Sequence, residues 1–278
     1  MMFDYTVIQW LCFFYLYSFL GWCFESAYVS IKSRRFVNRG FLRETLLPIY
    51  GCGTVMMLVV SSPFQGFAVP QKYIFIYLAG CVGTTVLEYV TGAVMEALFK
   101  VRYWDYSEKP FNLNGYICLE STLVWGAFTV LITAFLHRPV EHAVLSIPAG
   151  VLGAVTYGIT VCFIVDFVLS FKAAMTLQSV LVRLEDVRKE MSLVQKRLDV
   201  LIALTGEELE KVKEELAQLR ERHRIHVLDR ERLTAVKDIF QRDMLRSNPT
   251  MISRRFSGSL RELQEKLEQE IRERRRNR

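Results

Sequence analysis

Five apolar runs in the first 172 residues, each at or near the length that crosses a bilayer, constrain this chain more than any other feature. A hydrocarbon core about 30 Å thick takes roughly 20 mostly apolar residues of helix. Residues 5–31, 46–62, 73–99, 117–136 and 143–171 meet or approach that length. The second run is the shortest and opens with Pro48, Gly51 and Gly53, which predicts a tilted, broken or re-entrant segment. The first has no cleavage-like motif and is too long for a removable signal peptide, so it is expected to remain as an anchor.

Charge divides the chain. Residues 1–172 carry 11 Lys/Arg and 10 Asp/Glu, whereas residues 173–278 carry 24 and 19. The expected architecture is an all-α integral membrane protein. About five transmembrane helices (1–172) precede a cytoplasmic coiled-coil helical tail (173–246), a linker (247–259) and a short basic C-terminal helix (260–278). Lys32, Arg34, Arg35, Arg39 and Arg43 follow the first run, and Lys100, Arg102 and Lys109 follow the third. The loops after the second and fourth runs offer only Lys72 and Arg138. Cations retained on the cytoplasmic side then predict a multi-pass plasma-membrane protein with its N-terminus outside and its C-terminus in the cytoplasm. The net charge of +6 comes with both signs interleaved in the tail, which argues against a nucleic-acid module. All six cysteines lie in or beside the apolar runs without zinc-like spacing, and read as small hydrophobes.

In the tail, Leu177, Val180, Leu184, Val187, Met191, Val194, Leu198 and Leu201 recur three and four apart. That is a coiled-coil seam, expected to mediate homo-oligomerisation or partner docking. Thr205-Gly206-Glu207-Glu208 interrupts it, either as a stutter or as a new helix capped by Thr205 and Glu208, before Leu209, Val212, Leu216 and Leu219 resume. A solitary charged helix is the alternative. His223 and His226 share a helix face, but without further ligands they read as solvated rather than metal-binding. Pro249 and Gly258 punctuate the linker, and the terminal RERRRNR contacts anionic lipid or solvent.

The carboxylates within the apolar runs stand out, because a charge in the bilayer interior is costly and usually faces a bundle interior or wet cavity. At about 1.5 Å per residue, Glu96 lies ~5 Å and Glu88 ~16 Å from the cytoplasmic end of the third run. Glu25, Glu120 and Asp166 lie roughly 5–9 Å from the same side. Gly80, Thr84, Glu88, Gly92 and Glu96 fall at every fourth position, one face suited to close helix approach. The loop at 101–120 adds Asp105, Asn112, Asn114 and Gly115 to the aromatic anchors Tyr103, Trp104 and Tyr106. Two readings follow. In one, Arg39, Arg43 and Arg102 neutralise Glu25, Glu96 and Glu120 in a network that only fixes helix order. In the other, Glu25, Glu88, Glu96, Glu120, Asp105 and Asn112 line a substrate or ion pathway open to the cytoplasm or inner leaflet, where the same arginines hold an anionic head group.

Several blocks carry a family resemblance: GWCFESAYVS (21–30), FVNRGFL (36–42), PIYG (48–51), EYVTGAVMEALF (88–99), WDY (104–106), the N-x-x-G-x-I-C-L run at 112–119, and Trp125-Gly126. In this order they resemble the CmpB-like family of ABC-transporter permeases (type IV ABC transporters), which has animal transmembrane relatives. The resemblance covers residues 10–130. It departs from the family at Glu44-Thr45, where Gly-Pro is common, and at Tyr116, where a basic residue is common. A permease role is what the resemblance implies.

The chain has no G-x-x-x-x-G-K-[ST] phosphate loop, so a permease of this kind requires a separate ATPase subunit. Membrane lipids are the remaining expected partner, and no cofactor is required. A second reading is a membrane-embedded enzyme acting on lipid head groups through Mg²⁺ or Mn²⁺ held by the carboxylates, although no nucleophile–His pair is present. A third is a scaffold or sensor whose bundle only anchors the coiled coil.

Overall fold

The computed structural model of the protein describes residues 5–203, 209–234 and 239–276. The interruption expected at 205–208 lies outside these residues, as do the side chains of Leu201, Leu209 and Val212. Helix α1 (Val7–Ser33) begins with a reciprocal cap: the Gln9 amide donates to Thr6 Oγ1 while the Gln9 side chain accepts from the Thr6 amide. It ends at Arg34, which turns the chain through the left-handed region.

The chain does not leave the bundle at that point. Residues 34–47 fold back so that Val37 and Leu42 are buried and the Leu47 amide donates to the Ser18 carbonyl at 3.0 Å. Ser18 lies about 22 Å back along α1 from Ser33. Helix α2 (Pro48–Ser61) therefore starts deep, with Pro48 in the first turn where its missing N–H costs nothing. A short 3₁₀ turn (Ser62–Phe64) completes it. Among the described residues four helices are long and apolar enough to cross a membrane: Val7–Ser33, Gln71–Phe99, Leu119–Leu145 and Ala149–Asp199. The second expected span is the shorter apolar helix Pro48–Phe64, because the preceding loop occupies the depth it would have filled.

Helix α3 (Gln71–Phe99) leads to a loop holding a two-residue antiparallel ribbon, β1 (Asn112–Leu113) and β2 (Ile117–Cys118). Helix α4 (Leu119–Leu131) continues through a π-helical turn (Ile132–Leu136) into α5 (His137–Leu145). Helix α6 (Ala149–Ala203) then runs out of the bundle without a break. Residue pairings fix the directions. Gly153 lies at Ile8 and Tyr15 bonds Thr160, so α1 and α6 are parallel. Tyr50 packs at Gly21, and Gly51 at Phe14 and Ser18, so α2 runs against α1; Thr85 bonding Thr122 and Gly80 packed on Thr129 set α4 against α3.

Outside the bundle the apolar stripe of the tail is covered by the chain itself. Leu177, Leu181 and Leu184 are buried with Met244, Leu245, Leu260, Leu263 and Leu267, from α8 (Ile239–Ser247) and α9 (Ser257–Arg276). Farther along, α7 (Leu209–Thr234) packs back along α6, with Val194 and Leu219 buried and His226 3.3 Å from Glu190. Residues 248–256 are packed: Met251 and Phe256 are buried, and Ile252 exchanges two backbone hydrogen bonds with Arg102. The tail is thereby fastened to the loop after α3.

Candidate functional site

The stripe on α3 faces its neighbours. Gly80, Thr84, Glu88 and Gly92 are buried while Val82, Val86, Val90 and Val94 point outward. Glycine makes the α3–α4 crossing close: a Cβ on Gly126 would overlap Cys81 and Tyr77. That approach brings Trp125 across to α3, where its indole N–H donates to Glu88 Oε2 at 3.0 Å. Tyr106, from the loop after α3, donates its hydroxyl to Glu88 Oε1 at 3.2 Å. Burial, and then the Glu88 carboxylate, push the Tyr106 phenol well above the usual tyrosine range, so it remains a donor.

Glu25 belongs to the same line. The Tyr50 hydroxyl donates to Glu25 Oε1 at 2.9 Å, and the Tyr50 ring stands edge-on to Trp125 with centroids 6.1 Å apart. Gly21 leaves the space that the Tyr50 ring fills. On the other side, Arg39 Nε lies 4.0 Å from Glu25 Oε2, while the same guanidinium donates to the Tyr103 carbonyl and to Asn248 Oδ1, each at 3.0 Å. Burial lowers the Arg39 pKa and the Glu25 carboxylate opposes it. The result is a polar line, Arg39–Glu25–Tyr50–Trp125–Glu88–Tyr106, running from the tail-side loops into the bundle.

The other expected residues go elsewhere. Glu96 Oε2 accepts from Arg102 Nε at 2.5 Å and from the Tyr116 hydroxyl at 2.6 Å. The Arg102 guanidinium also donates to Asp105 at 3.0 Å and lies 4.5 Å over the Tyr116 ring. Burial disfavours the Arg102 charge, but Glu96 and Asp105 outweigh it and raise its pKa. Tyr116 thus supplies a hydroxyl and a ring face to this knot.

Asp105 and Asn112 organise the loop. Asp105 accepts from the amide and hydroxyl of Ser107, and Asn112 donates to the carbonyls of Ser107 and Lys109 while accepting from the Gly115 amide. Gly115 takes φ 74°, and a Cβ there would strike Asp105 and Arg102. Glu120 pairs with Lys109 at 2.8 Å on the exposed surface, raising the Lys109 pKa through that hydrogen bond. Arg43 pairs with Asp243 at 3.3 Å. Asp166 accepts from the amides of Arg43 and Glu44 and from the Ser170 hydroxyl. Among the described residues no group of three or more His, Cys, Asp or Glu side chains is placed to hold a metal ion.

The expected acidic cluster is therefore resolved into an inner line (Glu25, Glu88), a loop knot (Glu96, Arg102, Asp105) and a surface pair (Glu120, Lys109). Tyr50 and Trp125 are the members that the sequence reading missed, although PIYG and Trp125-Gly126 stood among the blocks that carried the resemblance.

Four apolar helices long enough to cross a membrane, among the described residues, define a helical membrane protein. The chain belongs to the family described as "Putative ABC-transporter type IV", ABC-transporter CmpB, whose model matches residues 12–171. The matched stretch contains Arg39, Glu25, Tyr50, Trp125, Glu88 and Tyr106 and stops at the base of the tail. No curated protein and no solved structure matches the chain.

Proposed function

We propose that this chain is a permease subunit of the plasma membrane in which Glu88, continued by Glu25, forms a cation- or proton-binding site in the transport path. The observation that carries the reading is the setting of Glu88. It is 6% exposed within an apolar helix and is bound by two neutral donors; among the described residues no Lys or Arg reaches it at ion-pair distance. An ionised carboxylate without a counter-charge is costly in such a place. Holding and exchanging a proton or cation removes that cost, and the Tyr50–Glu25–Arg39 line leads from it toward the tail side. Glu96 and Glu120, each with a cation of its own, serve structure in this reading.

The distribution of Lys and Arg supports placing the N-terminus outside and the tail in the cytoplasm. Family membership together with the missing phosphate loop supports a separate ATPase subunit as the source of energy. Exposed Leu193 and Ile225 on the α6–α7 pair leave an apolar surface through which copies of the chain associate.

The test is labelling of the full-length protein in membranes with an apolar carbodiimide, which reacts with protonated carboxyl groups in lipid. Glu88 is expected to be labelled, Glu88→Gln to abolish that label, and the transported cation to slow it. Labelling of other carboxyls with none at Glu88 overturns the proposal.

A further inference from the structure

Four polar side chains meet at the end of the bundle farthest from the tail. His137, the first residue of α5, is 1% exposed. Tyr5, just ahead of α1, places its hydroxyl 3.0 Å from Nε2 of that ring, and Tyr17 of α1 places its own 3.1 Å from Nδ1. The Tyr5 hydroxyl also donates to Glu141 Oε1 at 2.6 Å. Phe13 stands edge-on to the imidazole with centroids 4.9 Å apart, and α6 adds Leu152 to the same cluster. The titratable groups set against His137 are thus Tyr5, Tyr17 and, through Tyr5, the half-buried Glu141; Arg138 and His142 lie on the exposed side of α5.

These contacts assign the hydrogens. A phenol has one proton, and Tyr5 gives it to Glu141, so the Tyr5 oxygen accepts from His137 Nε2–H. The neutral ring then accepts only at Nδ1, and Tyr17 is the donor to it. Every hydrogen in the row Tyr17–His137–Tyr5–Glu141 therefore points the same way. A proton delivered at Tyr17 shifts each hydrogen one place along and emerges on Glu141. Only O–H and N–H bonds form and break in that shift.

Two helix faces lead from this row to the Glu25–Glu88 line. On α1, Tyr17, Gly21 and Glu25 fall at every fourth position, and Tyr50, which bonds Glu25, fills the space at Gly21. Tyr17 is about 12 Å from Glu25 along that helix. Between them the Ser18 hydroxyl is fully buried and bonds no protein group among the described residues, which suits it to hold bridging water. On α4 and its continuation, Trp125, Thr129, Thr133 and His137 recur at the same interval, the last three buried. Trp125 is the residue that holds Glu88, and each threonine hydroxyl donates to the carbonyl four residues back and keeps its lone pairs free to accept. A row that only fastened α1 to α5 would need neither aligned donors nor two polar faces leading from it.

We infer that Tyr17, His137, Tyr5 and Glu141 form a proton wire between the Glu25–Glu88 line and the membrane surface on the N-terminal side, so that the ion exchanged in that line is a proton. The destination of the wire rests on the reading of Glu88 given above, whereas the order of hydrogens in the row does not.

Two measurements on the full-length protein test the wire. In lipid nanodiscs, nitrogen NMR of histidine-labelled protein is expected to show the His137 proton on Nε2; a proton on Nδ1 of the neutral ring overturns the inference. In sealed membranes, an apolar carbodiimide is applied while the pH on the N-terminal side alone is raised from about 6 to about 8. Labelling of Glu88 in the parent is expected to fall. His137→Gln and Tyr5→Phe, which break the row at different links, are expected to keep the label and lose its response to that pH. Two variants are used so that a folding defect in one does not decide the matter. A parent label indifferent to that pH, or variants that respond as the parent does, overturn the wire and leave Glu88 as a site. No label at Glu88 in the parent overturns the reading of Glu88, and with it the destination of the wire.

Discussion

Trp125 on α4 donates its indole N–H to Glu88 on α3 at 3.0 Å, so a buried carboxylate is held from a neighbouring helix by a neutral group rather than a cation. Holding a carboxylate in this way fixes its position without fixing its charge. An arginine in the same place would stabilise only the ionised form.

Glu88→Gln keeps one oxygen to accept from Trp125, lets its amide N–H donate to the Tyr106 hydroxyl in place of the bond that hydroxyl donated, and removes the charge. It is expected to change thermal stability in detergent by less than about 1 kcal/mol. Trp125→Phe, which deletes the donor and keeps a ring, is expected to cost about 1 kcal/mol, the usual scale for a hydrogen bond between membrane helices. A Glu88→Gln variant that melts far below the parent would show that the charge itself holds the fold.

Asn248 joins the tail to the bundle. It is 1% exposed, accepts from Arg39, and donates to the carbonyls of Gly40 and Met244. Asn248→Ala strands a buried arginine donor and is expected to loosen tail docking by on the order of 2 kcal/mol. Limited proteolysis is the measurement: cleavage between α8 and α9 should accelerate while the protein stays in the membrane. Unchanged cleavage would mean that the apolar contacts of Leu245 and Met251 suffice.

Tyr103 gives a pH dependence. It is buried beneath the tail with its hydroxyl donating to Met244 Sδ, and burial raises its pKa well above the ordinary tyrosine value, with Arg39 opposing. The folded protein therefore keeps this proton where the unfolded chain has lost it. Its contribution is fully present below about pH 10 and is lost as pH rises beyond that. Denaturation at about pH 8 and about pH 11 is expected to show the loss, and Tyr103→Phe to reduce it.

Patterns repeated along the chain were legible in the sequence, whereas contacts between distant segments were not. The apolar runs are visible because a helix in lipid declares its length in composition. The stripe through Gly80, Thr84, Glu88 and Gly92 is visible because four residues nearly complete a turn. The shortfall of the second span depends on Leu47 bonding to Ser18, which no local pattern records. The Leu177–Leu184 stripe looks the same whether a second chain or the tail's own α8 and α9 cover it. At the site, the carboxylates stand out by being charged, while nothing local sets Tyr50 and Trp125 apart from the chain's other aromatics; the close approaches at Gly21 and Gly126 are what bring them inward.

In the proposed function this chain forms the membrane path of a transporter powered by another subunit. The most direct measurement is mild-detergent purification of the intact protein from its native membranes, with mass spectrometry of what accompanies it and assay of ATP hydrolysis. A stoichiometric ATPase is expected, its turnover falling when Glu88→Gln replaces the parent chain. A chain that purifies without any ATPase, and whose Glu88→Gln variant is indistinguishable from it, is not such a subunit.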